Sequence, residues 1–312
     1  MSFDARTTTS GRRCWRVLGS TVLVMVVVAT GCAVQPPGPG QTVPAAMAAP
    51  SPVKVDLRYG PEPEHLANVY LPTAGGNRGV IVLVHGGGFV KGARGDLFNT
   101  GGPVVRQLRR GFALVDVEYR LTKGTANTFP TAVQDVSLAV EWVRRHGPAH
   151  GLNPRTVLVA GSSAGGTIAT LIGVGSNAVP GKGLPRTPRV DGWVSLAGIY
   201  DFATPTGASH FGATWLGAAR PTRRALEAAS PVTHIDRHDP PGYVAHGDHD
   251  TVVPVSQAAL MLGAAARAGV ITRLFYDLVT TGSGSCRWHF PACGMNAAAF
   301  DDWVERVVAR RL

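Results

Sequence analysis

From residue 53 onward, apolar and polar positions fall into alternating blocks. Val53–Arg58 and Leu66–Leu71 alternate residue by residue on either side of Gly60-Pro61, the pattern of two half-buried antiparallel strands joined as a hairpin. Gly79–Val84 is a continuous apolar run, as expected of a strand covered on both faces of a mainly parallel sheet. Phe112–Val117, Val157–Ala160, Asp191–Ala197 and Gly242–His246 predict further strands, and Ile271–Asp277 the last. Between them the spacing turns helical. Ala132, Val136, Ala139, Val140 and Val143 predict a helix from about Thr131, a second begins around Thr167-Ile168-Ala169, and Val255–Ala268 reads as a third. Phe300, Trp303, Val304, Val307 and Val308 form an i, i+3, i+4, i+7, i+8 stripe, an amphipathic helix that closes the chain. Residues 203–235 carry no clear periodicity and are expected to form a small cap. Strands alternating with helices predict one α/β domain over residues 53–312 with right-handed crossovers.

The first 52 residues have a different pattern. Arg12-Arg13 and Arg16 precede an apolar run from Val17 to Ala29 that ends Ala29-Thr30-Gly31-Cys32. The run is too short for a comfortable membrane span and reads as a secretory signal over residues 1–31. Its ending resembles a bacterial lipobox, which implies a lipidated Cys32 as the first mature residue. Ala29 stands where that pattern prefers leucine, so ordinary secretory cleavage stays an alternative. Residues 33–52 hold six prolines in twenty positions and are expected to be an extended spacer. The chain would then be held to a membrane by its N-terminal lipid, or secreted if the lipobox is unused.

Composition adds two constraints. The formal charge is +10, and without residues 1–31 there remain 26 basic and 19 acidic residues, a net of +7. Pairs such as Arg144-Arg145 and Arg310-Arg311 read as solvated helix faces, and no nucleic-acid motif accompanies them. Once Cys14 and Cys32 are assigned to the N-terminal segment, Cys286 and Cys293 remain, and an even remainder in an exported chain suggests a disulfide. Closing so short a loop contributes about 2–3 kcal/mol on the chain-entropy argument.

The candidate chemistry centres on Gly161-Ser162-Ser163-Ala164-Gly165, which lies between a predicted strand and a predicted helix. G-x-S-x-G in that context puts the serine on a sharp, strained turn with its hydroxyl above the sheet. Gly161 and Gly165 flank it because a Cβ at either place would collide with the neighbouring strand or helix. His85-Gly86-Gly87-Gly88 follows the Gly79–Val84 run, Phe129-Pro130 precedes Asp135, and His246-Gly247-Asp248-His249-Asp250 follows the Gly242–His246 run. Together these motifs resemble the α/β-hydrolase fold, and more narrowly its carboxylesterases and hormone-sensitive-lipase-like esterases, over roughly residues 53–312. Ser162 stands where the latter group often has aspartate.

The resemblance implies a mainly parallel central sheet flanked by helices and a triad in the order Ser, Asp, His. Ser163 is then the nucleophile, Asp250 the acid in preference to Asp248, and His289 the base. His246 and His249 sit too early in the chain, and His85 belongs to the oxyanion motif. The N–H groups of Gly87, Gly88 and Ala164 would meet the oxyanion. Cys286 and Cys293 bracket His289, so their disulfide is expected to hold its loop. Phe89 and Tyr119 are either pocket walls or core aromatics. His246, Asp248, His249 and Asp250 could suit zinc by type, but their spacing is that of the acid turn, so no metal is expected. Neither a Walker nor a Rossmann signature appears, and no cofactor is implied. The function expected is hydrolysis of carboxylic esters, short-acyl or small, through an acyl-enzyme. An amidase, arylformamidase or peptidase on the same triad is the alternative, and a catalytically silent surface binding module a more distant one.

Overall fold

The protein was analysed as a computed structural model, which describes residues 53–312 except 73, 75, 177, 179–182, 205–208 and 282–283. The expected signal segment, Cys32 and the spacer lie outside the described residues. Among those described, β1 (Lys54–Arg58), β2 (Leu66–Tyr70), β3 (Gly79–Val84), β4 (Phe112–Val117), β5 (Val157–Ser162), β6 (Gly192–Leu196), β7 (Gly242–Gly247) and β8 (Leu274–Val279) form one sheet in the order β1-β2-β4-β3-β5-β6-β7-β8. β1 pairs antiparallel with β2, and β2 antiparallel with β4; every later pairing is parallel.

Burial explains why the apolar runs are strands. In β3, Val80, Val82 and Val84 join one core layer, while Ile81 and Leu83 join the other. Side chains on a strand alternate between faces, so a strand covered on both sides reads as a near-continuous apolar run. Helices α1 (Asp96–Thr100), α2 (Gly102–Arg106) and, at the end of the chain, α9 (Ala297–Val308) cover the second layer. Helices α3 (Thr131–His146), α4 (Ala164–Val174) and α7 (Ser256–Arg267) cover the first. The expected C-terminal stripe is present: Phe300, Trp303, Val304 and Val307 are buried, and Asn296 caps the helix by accepting from the Ala299 N–H at 3.0 Å.

Two expectations need correction or detail. The last strand begins at Leu274 rather than Ile271, because Ile271–Arg273 forms a 3₁₀ turn and strand pairing to β7 starts only at Leu274. Residues 203–235 contain the short helices α5 (Ser209–Trp215) and α6 (Arg223–Ala229) and a 3₁₀ turn at Pro231–Thr233. The remaining short helix, α8 (Gly284–Arg287), lies in the connection between β8 and α9.

The topology locates the site. From β3 the chain moves outward to β4, then crosses to the other side of β3 for β5. The loops leaving β3 and β5 therefore separate at the carboxyl end of the sheet, with Val84 in register with Gly161. Such a switch point opens a crevice where a ligand can bind.

Trp303 is fully buried between Tyr243 and Phe300, at ring separations of 5.6 and 5.7 Å. Trp303→Ala is expected to lower stability by about 3–5 kcal/mol. Urea unfolding should show an earlier midpoint with an unchanged slope. An unmoved midpoint would mean that α9 does not close the core.

Candidate active site

Ser163 is the residue between β5 and α4, and its backbone sits at φ 54°, ψ −121°. A non-glycine residue at positive φ stores strain that its surroundings must offset. Here the Ser163 N–H donates to the Leu196 carbonyl at 2.7 Å, and its own carbonyl accepts from Thr167 at 3.0 Å. The flanking glycines leave room for the turn. A Cβ on Gly165 would lie 2.2 Å from the Val84 carbonyl oxygen, and one on Gly161 equally close to the Gly165 carbonyl. Strand β3 and the first turn of α4 can approach each other only because Gly165 is bare, and the end of β5 lies against that turn only because Gly161 is.

The chain brings the three residues expected to act together into one row. His289 Nε2 lies 2.8 Å from Ser163 Oγ, and His289 Nδ1 lies 2.8 Å from Asp250 Oδ2. With the carboxylate ionised, Nδ1 carries the proton and donates to Asp250, which leaves Nε2 free to accept from the serine hydroxyl. The Asp250 side chain is fully buried, whereas His289 keeps 13% exposure toward the crevice. Burial alone would raise the Asp250 carboxyl, but hydrogen bonds from His246, His289 and the Val253 N–H together bring it well below the usual carboxylate range. Its Oδ1 accepts from the Val252 and Val253 N–H groups at 2.9 and 2.8 Å, so the carboxylate is fixed as well as charged.

Asp248 points elsewhere. It accepts two hydrogen bonds from Arg287, at 2.9 and 2.7 Å, and pairs with His249 at 2.8 Å. His246 is buried and its Nε2 donates to the Val253 carbonyl at 2.8 Å. The four side chains of the acid turn fall into two pairs, His246 with Asp250 at 3.4 Å and Asp248 with His249 at 2.8 Å, and among the described residues no group of three or more His, Cys, Asp or Glu side chains could hold a metal ion.

The loop after β3 lies against the nucleophile. The Gly86 backbone is so close that a Cβ there would be 3.3 Å from Ser163 Cβ. Gly87 and Gly88 follow at φ 105° and 62°. Among the described residues no backbone carbonyl outside α4 accepts from the N–H groups of Gly87, Gly88 or Ala164. Ala164 opens the eleven-residue α4, whose positive dipole end adds to that donor set. Cys286 and Cys293 are joined by a disulfide.

The supports of this loop were not evident from the sequence. His85 is buried, with Nδ1 2.8 Å from the Gly86 carbonyl and Nε2 2.8 Å from Glu118 Oε1. Its ring stacks on Tyr119, whose hydroxyl donates to the His85 carbonyl at 3.0 Å. Tyr119 is therefore a core residue and not a pocket wall. Phe89 is also core: it is buried and stacks on Trp215 at 4.0 Å. Asp116 on β4 is fully buried and accepts from the Gly95 N–H at 2.6 Å, which holds the far end of the same loop.

The BD-FAE family model matches residues 67–264. Esterase LipC of Mycobacterium tuberculosis is 30% identical over 244 residues, covering 72% of this chain and 59% of LipC. The probable carboxylic ester hydrolase LipM of the same organism is 34% identical over 158 residues, 47% of this chain and 36% of LipM. The chain thus spans between about a third and three-fifths of the length of these curated relatives. Among solved structures, a truncated carbohydrate esterase from gut microbiota superposes with a TM-score of 0.67 at 21% identity, covering 82% of this chain and 96% of that one. Esterase B from Lactobacillus rhamnosis gives a TM-score of 0.67 at 17% identity, covering 85% and 89%. Both likenesses establish the fold: an α/β-hydrolase.

Burial pushes the Asp116 carboxyl up to about 7, against 3.8 for a free carboxyl. A carboxyl with a raised folded pKa costs stability as pH climbs, because the unfolded chain ionises first. The loss should run from about pH 4 and level off above about 7. Asp116→Asn keeps an acceptor for Gly95 and removes the titration. Thermal melts of wild type and variant at pH 5 and pH 8 should therefore diverge, the wild type losing more on the way up; parallel changes would contradict the burial argument.

Proposed function

The chain belongs to the BD-FAE family of α/β-hydrolases, and from that premise we propose that it is a serine carboxylesterase acting on small, short-acyl esters. The observation that carries the reading is the row from Asp250 through His289 to Ser163, with 2.8 Å at each link. In the proposed reaction the Ser163 oxygen attacks the ester carbonyl carbon while His289 Nε2 takes its proton. The carbonyl oxygen becomes an anion and meets the N–H groups of Gly87, Gly88 and Ala164. Donors of this kind are each worth about 10²–10³ in rate, because they face the charge only as it develops. The tetrahedral species collapses, the alkoxide takes the proton from Nε2 and leaves as alcohol, and the acyl group stays on Ser163. Water then gives its proton to Nε2 and attacks the acyl carbon; the acid departs and the serine recovers its proton. Asp250 holds the ring tautomer and balances the imidazolium through both half-reactions.

The preference for short acyl groups is supported by Phe211 on α5. Its ring lies 3.2 Å from the position a Cβ on Gly88 would take, so one side of the proposed oxyanion site is walled by an aromatic ring. The same proposal takes the enzyme to the cell envelope. The apolar run from Val17 to Ala29, the lipobox-like ending at Cys32, the proline-rich spacer and the Cys286–Cys293 disulfide all support an exported, lipid-tethered chain.

The test is a series of chromogenic esters from acetate to decanoate, with one matched amide, on wild type and Ser163→Ala. Highest kcat/KM is expected between acetate and butyrate. Ser163→Ala should lose at least about 10⁴-fold in kcat. Turnover that survives in Ser163→Ala overturns the reading; a higher kcat/KM for the amide than for its ester would replace it with an amidase.

A further inference from the structure

Two short segments carry the acid and the base, and they meet with matched spacing. On one, Asp248 and Asp250 are two residues apart; on the other, Arg287 and His289 are. The inner pair is Asp250 with His289, at 2.8 Å. The outer pair is Asp248 with Arg287, a bidentate contact at 2.9 and 2.7 Å. Backbone contacts follow the same alignment. The His249 N–H donates to the Arg287 carbonyl at 2.9 Å, and the Asp248 N–H donates to Val279 at the end of β8 at 3.1 Å. A Cβ on Gly247 would sit 2.1 Å from the Arg287 carbonyl oxygen and 2.2 Å from that of Trp288, so only glycine lets the segments close.

Neither segment is a strand: residues 248 and 249 form a turn and Arg287 ends α8, so no strand ladder aligns them and their seating rests on these side-chain and backbone contacts. The inner pair is the one read as reacting, whereas the outer pair bonds to itself and to the His249 ring, Asp248 at 2.8 Å and Arg287 at 2.9 Å. We propose that the Arg287–Asp248 ion pair is a register lock: it fixes which residue of the base-bearing loop faces Asp250, and so delivers the His289 imidazole to Ser163. Both are positioning residues. This rests on reading Ser163, His289 and Asp250 as the reacting row.

The disulfide cannot do the same work. Cys286 and Cys293 both belong to the base-bearing loop, so their bond sets the shape of that loop and not its seat on the acid turn. The planar guanidinium fork does set a seat, because it matches a carboxylate in two directions at once. The lock also stays closed in acid. The hydrogen bonds from Arg287, ahead of the contribution of His249, hold the Asp248 carboxyl down at about 2.

The experiment is steady-state ester hydrolysis by the full chain as wild type, Arg287→Gln, Asp248→Asn, the charge-neutral double variant, Arg287→Lys and Ser163→Ala, with thermal melts of each. Displacing a reacting group by 1 Å costs on the order of 100-fold in rate. Arg287→Gln is expected to lose at least about tenfold in kcat while KM stays within about twofold. The double variant should be no worse than either single change, since both remove one contact. Arg287→Lys should recover part of the loss, because an ammonium restores the charge without the fork. If Arg287→Gln does not fold, the double variant and Arg287→Lys carry the same comparison. Wild-type kcat in the Gln and double variants, with Ser163→Ala inactive, overturns the lock alone, whatever the melting temperatures do. Additive losses overturn it too, because the two residues would then act separately. Turnover by Ser163→Ala overturns the lock together with the reading beneath it.

Discussion

The site depends on one strained residue. Ser163 is held at positive φ between a strand and a helix, and that conformation lifts its hydroxyl out of the sheet toward His289. Strain of this kind costs roughly 1–3 kcal/mol and persists only where the surroundings over-determine it. Here they do so from three sides. Leu196 on β6 accepts its N–H, α4 begins on its carbonyl, and the carbonyls of Val84 and His85 press against Gly165. The parallel strands β3, β5 and β6 are therefore the mould for the nucleophile. Their apolar side chains stabilise the domain, and their register decides where the serine oxygen stands.

Around that fixed point the remaining groups arrive on loops, and each loop is held by polar contacts behind it. The loop after β3 is backed by His85, Glu118 and Tyr119, and further on by Asp116 through Gly95. The acid turn after β7 is backed by the Val252 and Val253 N–H groups and by His246. The base-bearing loop after β8 is closed by its disulfide and seated by Arg287 on Asp248. Buried polar networks of this sort are costly when half satisfied and rigid when complete. A row that must hold 2.8 Å at two links needs that rigidity.

Sequence reading found what repeats or what is buried on two sides. Gly79–Val84 and Phe112–Val117 were legible to the residue because a fully covered strand has no polar face to blur its ends. The Phe300–Val308 stripe was legible because one helical face is apolar and the other is not. Helices α1 and α2 were not legible, since five residues are too few to display a helical period. The start of β8 was placed three residues early because Ile271 and Thr272 have strand-like side chains, while the backbone turns there instead. At the site, Ser163, Asp250 and His289 could be named from motif and chain order. The Arg287–Asp248 contact could not: it joins residues 39 positions apart, and only the relative seating of two loops brings them together.

The central claim is that Ser163 becomes covalently acylated in turnover, and intact-mass measurement of the enzyme quenched during hydrolysis of a chromogenic acetate tests it most directly. An added acetyl group on the peptide containing Ser163, formed with a burst of about one chromophore per chain and lost as water completes the cycle, is the expected result. Steady hydrolysis with no burst and no mass change on that peptide, or acetyl confined to another side chain, would contradict it.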